Sequence, residues 1–387
     1  MKQIFVITVL ILSSLSLTGC GWTDSFFGGE DNSIPPTELT EFSETAQVHA
    51  LWSKSTGVGL NEAFVNLQPA ISDDSIFTVD REGQLSSISR AGNINWQIEL
   101  DMTITGGVGF GQELLIVGNN RGEIIVLDAQ DGSLKWKKSL SSVMLSAPLL
   151  QDDVLIVRTG DGRIYGLSTD DGKQIWVYDR GVPVLTLRGN SSPIIGGREL
   201  VFTGFDSGKV AAIGVKHGRL LWEANASVPR GRSDLERLVD IDANMLLIGR
   251  VLYVVTYQGR IVAIDALEGE VLWAKEMSSY AGITADGQYI FVTDSDSNLW
   301  AVDRVSGNML WKQDKLAYRK LTAPVAIGDY ILVGDFEGYV HLISQDDGAL
   351  VGRKKIDDDG FHVQPQVEDD TVYIYGNSGK LAALQIN

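Results

Sequence analysis

Gly122-Glu-Ile-Ile-Val-Leu-Asp128-Ala-Gln-Asp-Gly132-Ser-Leu-Lys-Trp136 decides the fold, because the chain repeats its frame. The frame returns as Gly162…Gly172…Trp176, Gly208…Gly218…Trp222 and Gly259…Gly269…Trp273, always ten residues from glycine to glycine and four from glycine to tryptophan. Ser297…Gly307…Trp311 keeps the register with serine in the first place, and Gly83…Gly92…Trp96 is one residue shorter. Gly338…Gly348…Gly352 carries glycine where tryptophan is expected. A partial copy, Gly379-Lys-Leu-Ala-Ala-Leu, runs off the C-terminus, and Trp52 stands alone near the start, which makes eight units.

Each unit reads as four short strands. In one of them Ala147–Leu150, Val154–Val157, Arg163–Leu167 and Gln174–Trp176 are apolar runs separated by Asp152-Asp153, Gly160-Asp-Gly162 and Asp170-Asp-Gly172. Asp-Gly between apolar runs is a strong hairpin signal. A period near forty residues with four strands per period predicts an all-β fold, an eight-bladed β-propeller with four antiparallel strands per blade. The stray pieces predict its closure: Val48–Trp52 completes the blade begun by Gly379–Gln385. The ring is then closed by pairing the N- and C-terminal strands, which removes free sheet edges that invite aggregation.

Trp52, Trp96, Trp136, Trp176, Trp222, Trp273 and Trp311 are read as structural, each docking across the gap to the next blade. Burying ~150–250 Å² of aromatic surface at ~25 cal/mol/Å² is worth roughly 4–6 kcal/mol gross per blade.

The 387 residues carry a formal charge of −18 and 42 glycines, in keeping with many tight turns. So acidic a balance excludes nucleic acid as the main partner, since phosphate binding needs clustered Lys and Arg. One cysteine excludes an intramolecular disulfide and a multi-cysteine zinc site.

That cysteine is Cys20. Lys2 precedes an apolar run, Ile4–Leu12, then Ser13, Ser14 and Ser16. The run is too short to span a bilayer and reads as a signal peptide over residues 1–19. Leu17-Thr18-Gly19-Cys20 resembles the bacterial lipobox, which implies cleavage before Cys20 and its lipidation, with acyl chains such as palmitate as the anchor. Gly21, rather than Asp, after the cysteine implies the outer membrane by the sorting rule of such lipoproteins. Residues 20–45 are polar and turn-rich and read as a flexible tether, leaving 46–387 for the propeller.

Catalytic chemistry finds no support in the residues. Asp294-Ser-Asp296-Ser-Asn298 begins like a calcium loop, yet Leu299 stands at the glycine position and Val305 at the closing glutamate, so a hairpin turn is expected. The Gly106–Gly111 stretch matches no dinucleotide fingerprint, and His49, His217, His341 and His362 are scattered. No catalytic residue, metal or cofactor is expected.

Function then belongs to links longer than the ring needs. From each tryptophan, or Gly352 in its place, to the next repeat glycine or its equivalent the spacings are 31, 26, 26, 32, 37, 24, 27 and 27. About 26 suffices for most, so Trp176-to-Gly208 and Trp222-to-Gly259 stand out, and as consecutive links they should emerge on one face. The first contains Val182-Pro-Val-Leu185-Thr-Leu187-Arg188-Gly189; the second contains Arg230, Arg232, Asp234, Glu236, Arg237, Asp240 and Asp242. Apolar residues beside Arg and Asp suit a protein interface, though solvated loops with a few buried leucines fit equally.

Ala263-Ile264-Asp265…Gly269…Leu272-Trp273 resembles the tryptophan-docking repeat of pyrroloquinoline-quinone (PQQ) propellers, and the whole chain, from lipobox through eight units, resembles the BamB family. These are the lipoprotein propellers of the outer-membrane β-barrel assembly machine. The resemblance implies a non-catalytic scaffold, lipid-anchored on the periplasmic face of the outer membrane. It also implies binding to the POTRA domains of BamA through a Leu-x-Leu-Arg stretch and an Asp-x-Asp pair, here Leu185, Leu187 and Arg188 with Asp240 and Asp242. Other lipoproteins of the complex, reached through BamA, and unfolded outer-membrane proteins are further implied partners. The repeat alone leaves a second reading, a PQQ-dependent or vestigial dehydrogenase.

Overall fold

Val154–Arg158 and Arg163–Ser168 pair antiparallel across the Gly160-Asp161-Gly162 turn, with Leu149–Gln151 inside them and Gln174–Asp179 outside. The expected unit is thus a four-stranded sheet, and the computed structural model contains eight of them. It describes residues 34–60, 65–181 and 191–387. The chain divides into Met1–Pro35, of which only the last two residues are described, and Pro36–Asn387, which holds every strand. The signal peptide and Cys20 lie outside the described residues.

Blades 1 to 7 cover residues 70–99, 104–139, 149–179, 194–225, 246–276, 282–313 and 325–355. Blade 8 takes three strands from 366–386 and its outermost, Val48–Ser55, from the start of the propeller. Val48 pairs with Ile386 and Ser55 with Lys380, the closure the stray pieces predicted.

Burial follows strand position. The second and third strands are buried on both sides, as in Val154–Arg158, so they are almost wholly apolar. The fourth strand alternates, one side on the blade and the other in solvent. A register shift just before each docked tryptophan, for example between Gly166 and Leu167 opposite Gln174–Trp176, turns the preceding residue outward and the indole toward the next blade.

The antiparallel order sorts the connections. First-to-second and third-to-fourth turns lie at one end of each blade. Second-to-third turns and interblade links lie at the other, the loop face.

Seven indoles dock as expected. Each Nε1–H donates to a backbone carbonyl in the third-to-fourth turn of the next blade: Trp52 to Arg90, Trp96 to Ala129, Trp136 to Thr169, Trp176 to Val215, Trp222 to Ala266, Trp273 to Arg304 and Trp311 to Gln345, at 2.7–3.3 Å. The repeated glycine lies against the ring. At Gly172, φ is +68° and a Cβ would stand 2.8 Å from Trp136, so both backbone and space demand glycine.

The seventh unit lacks its tryptophan for a reason visible only in the ring. Blade 8 draws its outer strand from the N-terminal side and has no third-to-fourth turn to accept an indole. The chain entering that strand fills the seam instead. Thr45 and Ala46 donate their amides to Val351 at 2.9 and 3.0 Å, and a Cβ on Gly352 would lie 2.6 Å from the Ala46 carbonyl.

One boundary differs from the sequence reading. The propeller unit begins at Pro36 rather than residue 46, because residues 36–45 lie along blade 7, with Leu39 and Phe42 packed on its core. The Asp294 segment is the second-to-third turn of blade 6, its carboxylate filled by Asp296 and Asn298 amides, the Asn298 side chain and Trp300 Nε1.

Candidate functional site

Both long links leave the loop face, one joining blade 3 to blade 4 and the other blade 4 to blade 5. Residues 182–190 of the first, with Leu185, Leu187 and Arg188, lie outside the described residues. Its described end touches the second link: Ser192 donates its amide to Asn244 Oδ1 at 2.9 Å. The two links selected by length are therefore physically tied.

The second link has a buried root and an exposed tip. Ala226 and Ser227 are buried, Ser227 donating its amide to Gly208, and the chain then runs exposed from Val228 to Arg237. A reciprocal cap shapes the tip: Glu236 accepts the amides of Arg232 and Ser233, and Ser233 Oγ accepts the Glu236 amide. Those amide bonds hold the Glu236 carboxyl below its ordinary range. The tip presents Leu235, 64% exposed, among Arg230, Arg232, Asp234 and Arg237, with Val228, 53% exposed, beside them. The two apolar side chains escaped the sequence reading, which had only charge as a guide here.

Leu238 to Ile241 return into the protein. Asp240 is fully buried and its carbonyl accepts the Tyr257 amide at 2.9 Å. Asp242 is half-buried, and no donor among the described residues reaches either of its carboxylate oxygens. The Asp-x-Asp pair therefore lies beneath the face. A partner meeting this face touches the tip first.

Beneath the face Arg158, a buried cation at the end of the second strand of blade 3, pairs with Asp206 and acts on Asp242, which also feels the charges of Asp206 and Asp240. Arg158 Nη2 bonds Asp206 in blade 4 at 2.7 Å and Nη1 bonds the Ser191 carbonyl at 3.0 Å, both side chains of the ion pair being 6% exposed. One guanidinium thus joins blade 3, blade 4 and the end of the first link. Arg158 was not singled out from the sequence, although a signal existed. The residue four before the repeat glycine or its equivalent is Val79, Gly118, Gly204, Val255, Thr293, Gly334 or Tyr375 in the other units, so Arg158 is the one charged member of that column.

Asp206 and Asp240 place like charge near Asp242. Burial, and then the charges of Asp240 and Asp206, push the Asp242 carboxyl up from 3.8 to about 8, against the pull of Arg158. Between those values the folded state holds a proton that the unfolded chain has released, so this group's stabilisation is complete below pH 4 and is lost as pH rises through about 8. Asp242→Asn should remove a slope of up to about 1.4 kcal/mol per pH unit. In urea titrations at pH 5, 6.5 and 8 the variant gains on the parent as pH rises; a constant difference would show that Asp242 is not the titrating group.

Among the described residues no three His, Cys, Asp or Glu side chains are placed to hold a metal ion.

Comparison with known proteins agrees with this architecture. A family profile described as outer membrane protein assembly factor BamB matches residues 81–313. The outer membrane protein assembly factor BamB of Pseudomonas aeruginosa is 41% identical over 378 residues, covering 97% of this chain and 98% of that protein. The crystal structure of BamB from Moraxella catarrhalis superposes with a TM-score of 0.81 at 28% identity, over 87% of this chain and 99% of that one. The quinohemoprotein alcohol dehydrogenase of Comamonas testosteroni superposes at 0.71 with 12% identity, over 87% of this chain and 76% of that one, a likeness of fold alone. With more than half the chain matched by the profile, and relatives aligned nearly end to end, the chain belongs to the BamB family of outer membrane protein assembly factors.

Proposed function

We propose that this chain is a non-catalytic scaffold in the assembly of outer-membrane β-barrel proteins, anchored to the outer membrane through lipidated Cys20, with its loop face docking on the periplasmic POTRA domains of BamA. The observation that carries the reading is the pair of over-long links on one face, tied by Ser192–Asn244 and underlain by Arg158. An interface needs loops held in a fixed relation, and a buried ion pair spanning two blades supplies that better than surface charges do. In this reading Leu185, Leu187, Arg188 and the Leu235 tip are the contact surface, while Asp240 and Asp242 hold it in place from below. Other lipoproteins of the complex are reached through BamA, and client proteins meet the assembled surface.

A photo-crosslinking residue at Leu187 or Leu235 in intact envelopes is expected to capture BamA. The same residue at Val305, 80% exposed on the opposite face, is expected to capture none. Arg188→Ala should abolish the Leu235 crosslink at an unchanged unfolding midpoint. Equal capture from both faces, or capture of some other protein alone, would refute the assignment.

A further inference from the structure

Residues 36–45 form no ladder with any sheet, yet blade 7 binds them along their length. They run from the link between blades 6 and 7, on the loop face, antiparallel to the outer strand Leu350–Lys355, to that blade's far end. Thr37 donates its amide to Ala317 at 3.0 Å, and its carbonyl accepts Arg319 Nη1 at 3.0 Å. The Thr40 carbonyl accepts Arg353 Nη1 at 3.2 Å, and the same guanidinium sits 5.0 Å over the Phe42 ring. Leu39 and Phe42 pack against the core shared by blades 6 and 7.

The two arginines are held by one carboxylate. Arg319 Nε donates to Asp335 Oδ2 at 2.8 Å. Arg353 Nε donates to His341 Nδ1 at 3.2 Å, which leaves the proton on Nε2 to bond the same Asp335 oxygen at 3.0 Å. Asp335 and His341 are wholly buried. Buried polar networks are costly unless every member is satisfied. Here Asp335 and His341 are paired, while Arg353 Nη2 has no partner among the described residues, and each guanidinium gives one Nη1–H to a backbone carbonyl of the leader.

We propose that blade 7 is a latch for the leader that ties the propeller to its membrane anchor, fixing where the leader joins the disc and how much of it is free. The inference rests on the reading of Cys20 as the anchored residue. With the latch closed, Cys20 lies sixteen residues ahead of Pro36, a chain length of at most about 55 Å. Released to the start of the strand at Val48, that length is twenty-eight residues, about 100 Å. The latch sets where the leader meets the propeller, at Thr37 beside Ala317 on the loop face.

The test uses the full mature lipoprotein and two release variants. Arg319→Ala/Arg353→Ala removes both guanidiniums. Leu39→Ala/Phe42→Ala loosens the leader while leaving the buried network whole, should the first variant not fold. Hydrogen exchange in the parent should show protected Thr37, Thr45 and Ala46 amides, with protection falling at least about tenfold in either folded variant and blade amides unchanged. Unprotected leader amides in the parent, or equal protection in the variants, would overturn the latch.

Energy transfer then reads reach. On vesicles of phosphatidylethanolamine and phosphatidylglycerol carrying an acceptor lipid, a dye on Lys315→Cys, beside the leader's entry, should transfer more strongly than one on Val305→Cys. Release should lower the Lys315 signal about twofold. Equal transfer from both sites in the parent would overturn the placement. A chain that never binds vesicles refutes the anchor reading, and the exchange experiment still decides the latch.

Discussion

Trp176→Ala lowers the stability of the propeller by about 3–5 kcal/mol, the cost of truncating a buried tryptophan to alanine. Trp176 is the most enclosed of the docked indoles, 7% exposed, and its Nε1–H makes a 2.7 Å bond to the Val215 carbonyl. Gly218 lies directly beneath it, where a Cβ would stand 2.6 Å from the ring. Alanine leaves a cavity bounded by two blades whose backbones are fixed by their own ladders, so little of it closes, and it orphans a carbonyl. Urea denaturation followed by far-ultraviolet circular dichroism should show the shift. Trp300→Ala is the comparison: Trp300 is half-buried and bonds Asp294 within its own blade, so its loss should cost clearly less. Equal losses at Trp176 and Trp300 would mean that interblade docking is not what the repeated indole contributes.

Arg158→Met is expected to destabilise by about 3–5 kcal/mol, by leaving a buried carboxylate without its counter-charge. The cost has a particular source. Asp206 loses its 2.7 Å partner, the Ser191 carbonyl loses a donor, and Asp242 loses the pull of a nearby cation. Adding Asp206→Leu should recover much of the loss, since an apolar pair needs no compensation. The double variant separates two roles. If Arg158 only stabilises, the double variant gives the same crosslink from Leu235 as the parent. If it also positions the links, stability returns while the crosslink from Leu235 stays weak. A single variant as stable as the parent would show that Asp206 needs no internal cation.

The blade count and closure were legible because both are periodic: a glycine and a tryptophan at fixed spacing mark each third-to-fourth turn, and the stray Trp52 marks the seam. Link length singled out two connections that the fold ties together through Ser192 and Asn244. What the residues hid is long-range. Residues 36–45 look like tether because Pro35-Pro36 and scattered Thr and Glu carry no period; their partners Arg319 and Arg353 lie some three hundred residues away. Gly352 looked like a lapse in the repeat until the N-terminal segment was seen lying in that seam. Asp240 and Asp242 read as surface charges, as most aspartates are, and only the fold shows Asp240 buried between Leu238 and Ile241, with Asp242 half-buried beside it.

The pairing of Val48–Ser55 with Lys380–Ile386 bears on biogenesis. Translation delivers the first partner long before the second exists, so no intermediate can seal until Lys380–Ile386 has been made. Contacts of such sequence separation form slowly, and the waiting strand is meanwhile an unpaired edge open to misassociation. A stop codon a handful of residues early would therefore leave more than a frayed end: it would deprive Val48–Ser55 of its partner strand and yield a ring that never closes.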